Sequence, residues 1–324
     1  MLKSIRGKIL LAILAVTMFT ACSITVVFYL RAAGMIEEDY SELLYGRMQQ
    51  TVKDMDESLK EIYYVDTRAA WDENLRKNAE AYIRTGNERF LEKVAEVLRS
   101  HSREYKNINS LYFVFPDEKM AVTSEEFPVS KQNLDGTLVK KLEEKQEEDS
   151  FPVLVESVIH EGESFLSVLQ KVENDNGDIL GYVAADIKER TIYYEYLEAV
   201  NDEKITRVLL VDGNNEIVTS AEYSDLGKTF AEITDHNVPD DNGYSERDGV
   251  LSFFNRGSFS DCGLYLEVPK KEVLSGLSQI RLFLIGIFGT FFVVAVVLAL
   301  WLSRVVCEPL RSMTGTVEKV GEGD

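Results

Sequence analysis

Two stretches of 22 residues without one charged side chain, Ile9 to Leu30 and Leu282 to Ser303, restrict this chain more than anything else in it. A helix rising about 1.5 Å per residue covers a hydrocarbon layer of roughly 30 Å in that length, so two transmembrane helices are expected, at 9–30 and 282–303. Lys3, Arg6 and Lys8 precede the first run without an acid among them, and Arg304 and Arg311 follow the second. The positive-inside bias then sets residues 1–8 and 304–324 in the cytoplasm, 31–281 outside a cell membrane, and lipid around both spans.

Two other readings of the first run are weaker. A cleaved signal peptide has an apolar core of about 7 to 15 residues before a small-residue cleavage site, but here Ile24, Val26, Val27, Phe28 and Leu30 extend the apolar stretch. Phe19-Thr-Ala-Cys22 departs from a lipoprotein processing site, because Phe stands where Leu is usual and apolar residues follow the cysteine. A retained anchor is expected.

The cytoplasmic ends hold six of the 35 basic and four of the 55 acidic residues, which leaves the exterior 29 basic against 51 acidic, a balance of -22. That surface repels nucleic acid and anionic headgroups, and a solvated exterior explains it without any partner. Cys262 is the only exterior cysteine, so no disulfide forms within the outer part, and His101, His160 and His236 stand singly without metal-ligand spacing. Neither a metal nor a cofactor is expected.

Outside the first span, Leu44, Met48, Val52, Met55, Leu59 and Ile62 recur at spacings of four, four, three, four and three, one apolar stripe on a long helix. The stripe suits either a homodimer seam or packing on the chain's own body. Further helix is predicted through Trp71, Leu75, Tyr82 and Ile83 and again from Phe90 to Arg103, making 31–106 a helical stalk region.

The period then changes to that of strands. Leu111 to Phe115, a turn at Pro116 to Lys119, and Ala121 to Ser124 are matched 96 residues later by Leu209 to Val211, a turn at Asp212 to Asn215, and Ile217 to Ser220. Phe165 to Val172 and Gly181 to Ile187 close the first set, as Val250 to Asn255 and Gly263 to Val268 close the second. The offset predicts two copies of one module, at 107–200 and 201–275.

A span, a long exterior helix, two tandem sheet modules and a second span, with Leu209-Leu-Val-Asp-Gly-Asn-Asn-Glu-Ile-Val218 among them, resemble the double Cache arrangement, an extracytoplasmic relative of PAS domains. The resemblance covers Ile36 to Leu274. It implies an α+β fold with one antiparallel sheet per module and a small-molecule pocket in the membrane-distal one. After the second span, Glu308-Pro309-Leu310, the apolar series Leu310, Met313, Val317 and Val320, and Gly321-Glu-Gly-Asp324 resemble the first helix of a HAMP linker. Pro309 suits a helix changing environment at the membrane surface, and the apolar spacing is that of a coiled-coil seam. These five residues are the expected signal transmitters, in a linker that stops before its connector and second helix.

Together the two resemblances imply the input half of a bacterial sensor histidine kinase, with a chemoreceptor as the alternative and a homodimer as the assembly. No glycine-rich nucleotide loop or phosphoacceptor helix is present, so any kinase activity, and with it a response-regulator partner, depends on a continuation of the chain. A membrane-anchored extracellular enzyme is the remote alternative, since no nucleophile elbow, zinc-ligand helix motif or calcium loop occurs and no catalytic residue is assigned. For amino-acid ligands the resemblance implies an Arg-x-Trp pair on the central strand and an aspartate closing the last distal strand. Asp186 fits the aspartate; the pair is missing. Tyr112 and Tyr182 reach the same pocket if their strands alternate, so Asp186, Tyr112 and Tyr182 are the candidate ligand residues, although an acid at a strand end also serves as a solvated turn or cap residue.

Overall fold

The computed structural model describes residues 5–103, 105, 108–115, 120–122, 153–155, 165–277, 282–298, 300 and 301. The expected HAMP residues Pro309, Leu310, Met313, Val317 and Val320 lie outside them. Two compact units divide the chain, one of Met1–Ser41 with Lys270–Asp324 and one of Glu42–Pro269.

In the first unit the opening part of α1 (Ile5–Ala70) is long and apolar enough to cross a membrane, and Leu282–Leu298 forms a shorter apolar helix. Both leave large apolar side chains bare, among them Phe19 and Ile24 on one and Phe283 and Val293 on the other. Lys270 is ion-paired with Glu37 at 3.0 Å.

In the second unit the predicted stripe is the buried face of α1. Leu44, Met48, Val52, Met55, Leu59 and Ile62 are all at most 5% exposed within the single chain, which seats that face on the chain's own body. The helix is not continuous through Trp71, as the sequence suggested. It ends at Ala70, Trp71 is exposed, and Asp72 adopts an extended backbone and accepts from the Asn74 and Leu75 amides at 2.8 and 3.1 Å. That cap opens α2 (Glu73–Thr85), and α3 (Arg89–Ser102) follows.

The first sheet comprises β1 (Ser110–Val114), β2 (Met120–Val122), β3 (Val153–Val155), β4 (Phe165–Glu173) and β5 (Ile179–Lys188), all antiparallel in the order β2-β1-β5-β4-β3. A helical segment follows, α4 (Glu189–Ile192), which passes through a π-helical turn at Tyr193–Leu197 to Val200. The second sheet comprises β6 (Arg207–Val211), β7 (Ile217–Ser220), β8 (Gly243–Arg247), β9 (Val250–Arg256) and β10 (Gly263–Pro269), in the order β7-β6-β10-β9-β8. The two orders are the same, strand for strand. Four strands of each were legible in the sequence. The edge strands β3 and β8 were not.

The predicted turn at Asp212 forms as its residues dictate. The Asp212 carboxylate accepts from the Asn214 and Glu216 amides at 2.8 and 2.9 Å while Asn215 takes a left-handed φ of 65°. Gly181 in β5 is required by space: a Cβ there would stand 2.3 Å from the Val114 carbonyl and 2.5 Å from the Phe113 ring.

Candidate functional site

Residues opposed across an antiparallel pair point to the same face, so register decides which side chains can meet. In the first sheet Asp186 of β5 opposes Ser110 of β1 and Ser167 of β4, Ala184 opposes Tyr112 and Leu169, and Tyr182 opposes Val114 and Lys171. Asp186, Tyr112 and Tyr182 therefore share a face, as their alternation predicted. The opposite face of β5 carries Ile187, which lines a narrow cleft with Met55, Leu59 and Ile62 of α1.

Asp186 is 6% exposed rather than a solvated strand end. Its carboxylate accepts from the Ser167 hydroxyl at 2.5 Å, the Tyr112 hydroxyl at 3.1 Å and the Ser110 hydroxyl at 3.5 Å. Burial raises its pKa to about 6, against the lowering effect of those three donors. The Tyr112 phenol is pushed well above its usual value, by burial and then by the charge of Asp186. Tyr182 is half-buried and four residues back along β5, roughly 13 Å away. The structure thus joins two of the three candidates directly and sets the third on the same face, with small Ala184 between.

Ser110 and Ser167 were missed from the sequence. Their signal is a hydroxyl within an apolar strand, and only the register identifies which acid it meets. Asp66 of α1 was missed too. It is 0% exposed, neither carboxylate oxygen has a hydrogen-bond partner, and burial, then the charge of Asp186, hold its pKa well above the usual carboxylate range.

The second sheet supplies an internal comparison. Asp186 lies two residues before the end of β5 and Glu267 two before the end of β10; Ser110 and Arg207, the first residues of β1 and β6, oppose them. Glu267 receives the Arg207 guanidinium at 3.0 Å and the Tyr265 hydroxyl at 2.8 Å. Asp186 receives three hydroxyls and, among the described residues, no cation. The face around Tyr265 is also filled by its own chain, with Phe230 edge-on to the Tyr265 ring at 4.8 Å and Leu226, Ile233 and Val238 packed alongside.

Solved structures share this architecture. The periplasmic sensory domain of the Campylobacter jejuni chemoreceptor Tlp1 aligns with a TM-score of 0.57 at 11% identity, over 74% of this chain and 98% of that one. The ligand-binding domain of the Pseudomonas aeruginosa amino acid chemoreceptor PctB, in complex with L-Arg, aligns with a TM-score of 0.54 at 14% identity, over 75% and 93%. The chain shares its fold with these two domains. The extracellular domain of vpHK1S-Z8, a histidine kinase by its name, aligns with a TM-score of 0.51 at 12% identity, over 78% and 99%. No protein-family model and no curated protein matches the chain.

Chemically, a buried carboxylate ringed by hydroxyls, with no counter-charge among the described residues, suits a cationic group arriving from outside. Burial pushes the Cys262 thiol, beside the second sheet, up to about 12, which leaves it inert as a nucleophile. Among the described residues no three His, Cys, Asp or Glu could hold a metal.

Proposed function

We propose that this chain is the input half of a transmembrane receptor that binds a small cationic molecule outside the cell. In this reading helices at 9–30 and 282–303 cross the membrane, the sheets are two Cache modules at 107–200 and 201–275, and Asp186 of the distal module anchors the ligand. One observation carries it. Two acids occupy equivalent places in two sheets of the same order, and among the described residues only the proximal one, Glu267, has a cation of its own. An ionised carboxylate is costly to bury unpaired, so Asp186 gains most from a ligand that brings the missing charge. Tyr112 orients the carboxylate, and Tyr182 bounds the same face.

The ligand class follows from what surrounds the acid. An ammonium or guanidinium can take Asp186, while no Arg-x-Trp pair is at hand to hold a carboxylate, so an amine without a carboxyl group should bind as well as the corresponding amino acid. Signal passes inward through Pro309, Leu310, Met313, Val317 and Val320 of a HAMP helix, in a homodimer, to a kinase and its response regulator. The likeness to chemoreceptor domains supports a second output, a chemoreceptor signalling region.

The test is calorimetry on the purified chain in nanodiscs with L-leucine, whose ammonium is its only cation, the amine left by removing its carboxyl group, and the N-acetylated form of each. The free amines should bind, blocking the ammonium should weaken binding, and Asp186→Asn should reduce affinity at least about tenfold, some 1.4 kcal/mol. Binding unchanged within about twofold in Asp186→Asn sinks the reading.

A further inference from the structure

The ligand strand does not end at the site. Three residues after Asp186 the chain enters α4 at Glu189, which is only 1% exposed. Its carboxylate accepts a hydrogen bond from the Thr219 hydroxyl. Thr219 and Ser220 are the last residues of β7, buried at 0% and 2% exposure, and β7 pairs with β6 of the second sheet. The neighbouring Arg190 guanidinium lies 3.6 Å from the same carboxylate and over the rings of Tyr193 and Tyr223, at 5.6 and 5.5 Å. One turn of chain therefore clasps the end of β7 and the residues that follow it.

We propose that Glu189 is a positioning residue that passes the state of Asp186 from the first sheet to the second. The inference rests on Asp186 being the ligand anchor and adds the route by which its occupancy is reported. Between the two acids stand only Ile187, packed against α1, and Lys188. A strand held by neighbours on both sides does not absorb a displacement locally, because close-packed interiors transmit strain. A shift of the β5 end reaches Glu189 without an intervening loop. The Glu189 carboxylate, with its bond to Thr219, hands the shift to β7, and β7 is bonded through β6 to β10.

A pathway needs coupling evidence, which a double-mutant cycle supplies. Asp186→Asn removes the charge as a bound cation or proton would cancel it, so no ligand is required. Amide hydrogen exchange is measured on the full chain in nanodiscs for the wild type, Asp186→Asn, Glu189→Gln and the double variant. Asp186→Asn should change protection of Ile217 to Ser220 by about threefold or more in the wild-type background and by less than about 1.5-fold beside Glu189→Gln. Thr219→Val, which removes the donor from the other side, should decouple β7 in the same way and covers the case in which Glu189→Gln folds poorly. An unchanged β7 in Asp186→Asn overturns the route, and so does a change of equal size with and without Glu189 or Thr219. Failure of amines to bind, by contrast, touches the ligand reading and leaves this measurement standing.

Discussion

The Arg207 guanidinium stands 3.0 Å from the Glu267 carboxylate, at the register position that Ser110 holds opposite Asp186 in the first sheet. Among the described residues, one residue type thus separates an acid with a cation of its own from an acid with hydroxyls alone. Burial lifts the pKa of Asp186 to about 6.

That lift fixes a pH dependence. The folded pKa lies above the unfolded value of 3.8, so the folded chain binds the extra proton, and stability is fullest below about pH 4 and declines as pH rises toward 6. The loss from this group is on the order of 3 kcal/mol. Thermal unfolding followed from pH 4 to pH 7 should show the decline in the wild type and a flatter profile in Asp186→Asn. Ser110→Arg, which copies the second sheet's solution, should flatten it too and abolish amine binding; a profile unmoved by either change contradicts the assignment.

Asp66 gives a second test, coupled to the first through the charge of Asp186. Neither of its oxygens has a partner, and its pKa is raised in the folded state, so ionisation opposes folding and the penalty grows as pH rises above the unfolded value. Asp66→Asn cannot ionise. It should therefore raise stability at neutral pH, and the difference from wild type should widen between pH 5 and pH 7. An infrared band from a protonated carboxyl that persists above the usual carboxylate range in the wild type and is absent in Asp66→Asn checks the same point without unfolding.

The architecture was legible where residue type and period agree. The α1 stripe, eight of the ten described strands and the Asp212 turn carry their own patterns, and the 96-residue echo pairs β1 and β2 with β6 and β7. β3 and β8 were not legible, because Val153 to Val155 is too short to display a period and Gly243 to Arg247 is an exposed edge of Gly, Tyr, Ser, Glu and Arg. Asp186 and Tyr112 could be chosen from alternation along single strands. Ser110, Ser167, Glu189 and Asp66 could not, since their meaning depends on which strand or helix lies beside them, and that is set by packing of distant segments.

The membrane topology is open to direct labelling. Asn242 sits in a polar stretch, yet its side chain accepts from the Arg256 amide at 2.8 Å, so an insertion there disturbs β9. Asp240 is exposed and carries no such bond. A single cysteine at Asp240, with Cys22, Cys262 and Cys307 replaced, should react with an impermeant thiol reagent on intact cells lacking an outer barrier. A cysteine that reacts only after lysis reverses the orientation.

The last prediction concerns the grip of α1 on the second sheet. Asp56 is 5% exposed and accepts from the Phe259 amide at 3.0 Å, the Ser260 amide at 3.2 Å and the Ser260 hydroxyl at 2.6 Å, all in the loop joining β9 to β10. Lys60 and Tyr63, further along α1, lie 5.4 and 5.9 Å from the Phe259 ring. The loop passes so close that a Cβ on Gly257 would stand 2.5 Å from an Asp56 carboxylate oxygen. Asp56→Ala strands three donors and should cost about 2 to 3 kcal/mol, since hydrogen bonds to a charged acceptor are stronger than neutral ones. Gly257→Ala should open the same clasp from the other side by pushing the carboxylate off its donors. Because both changes break one contact, the double variant should lose less than the sum of the two single losses. Limited proteolysis at Phe259, with unfolding midpoints for the three variants, measures this, and strictly additive losses show that Asp56 and Gly257 act independently.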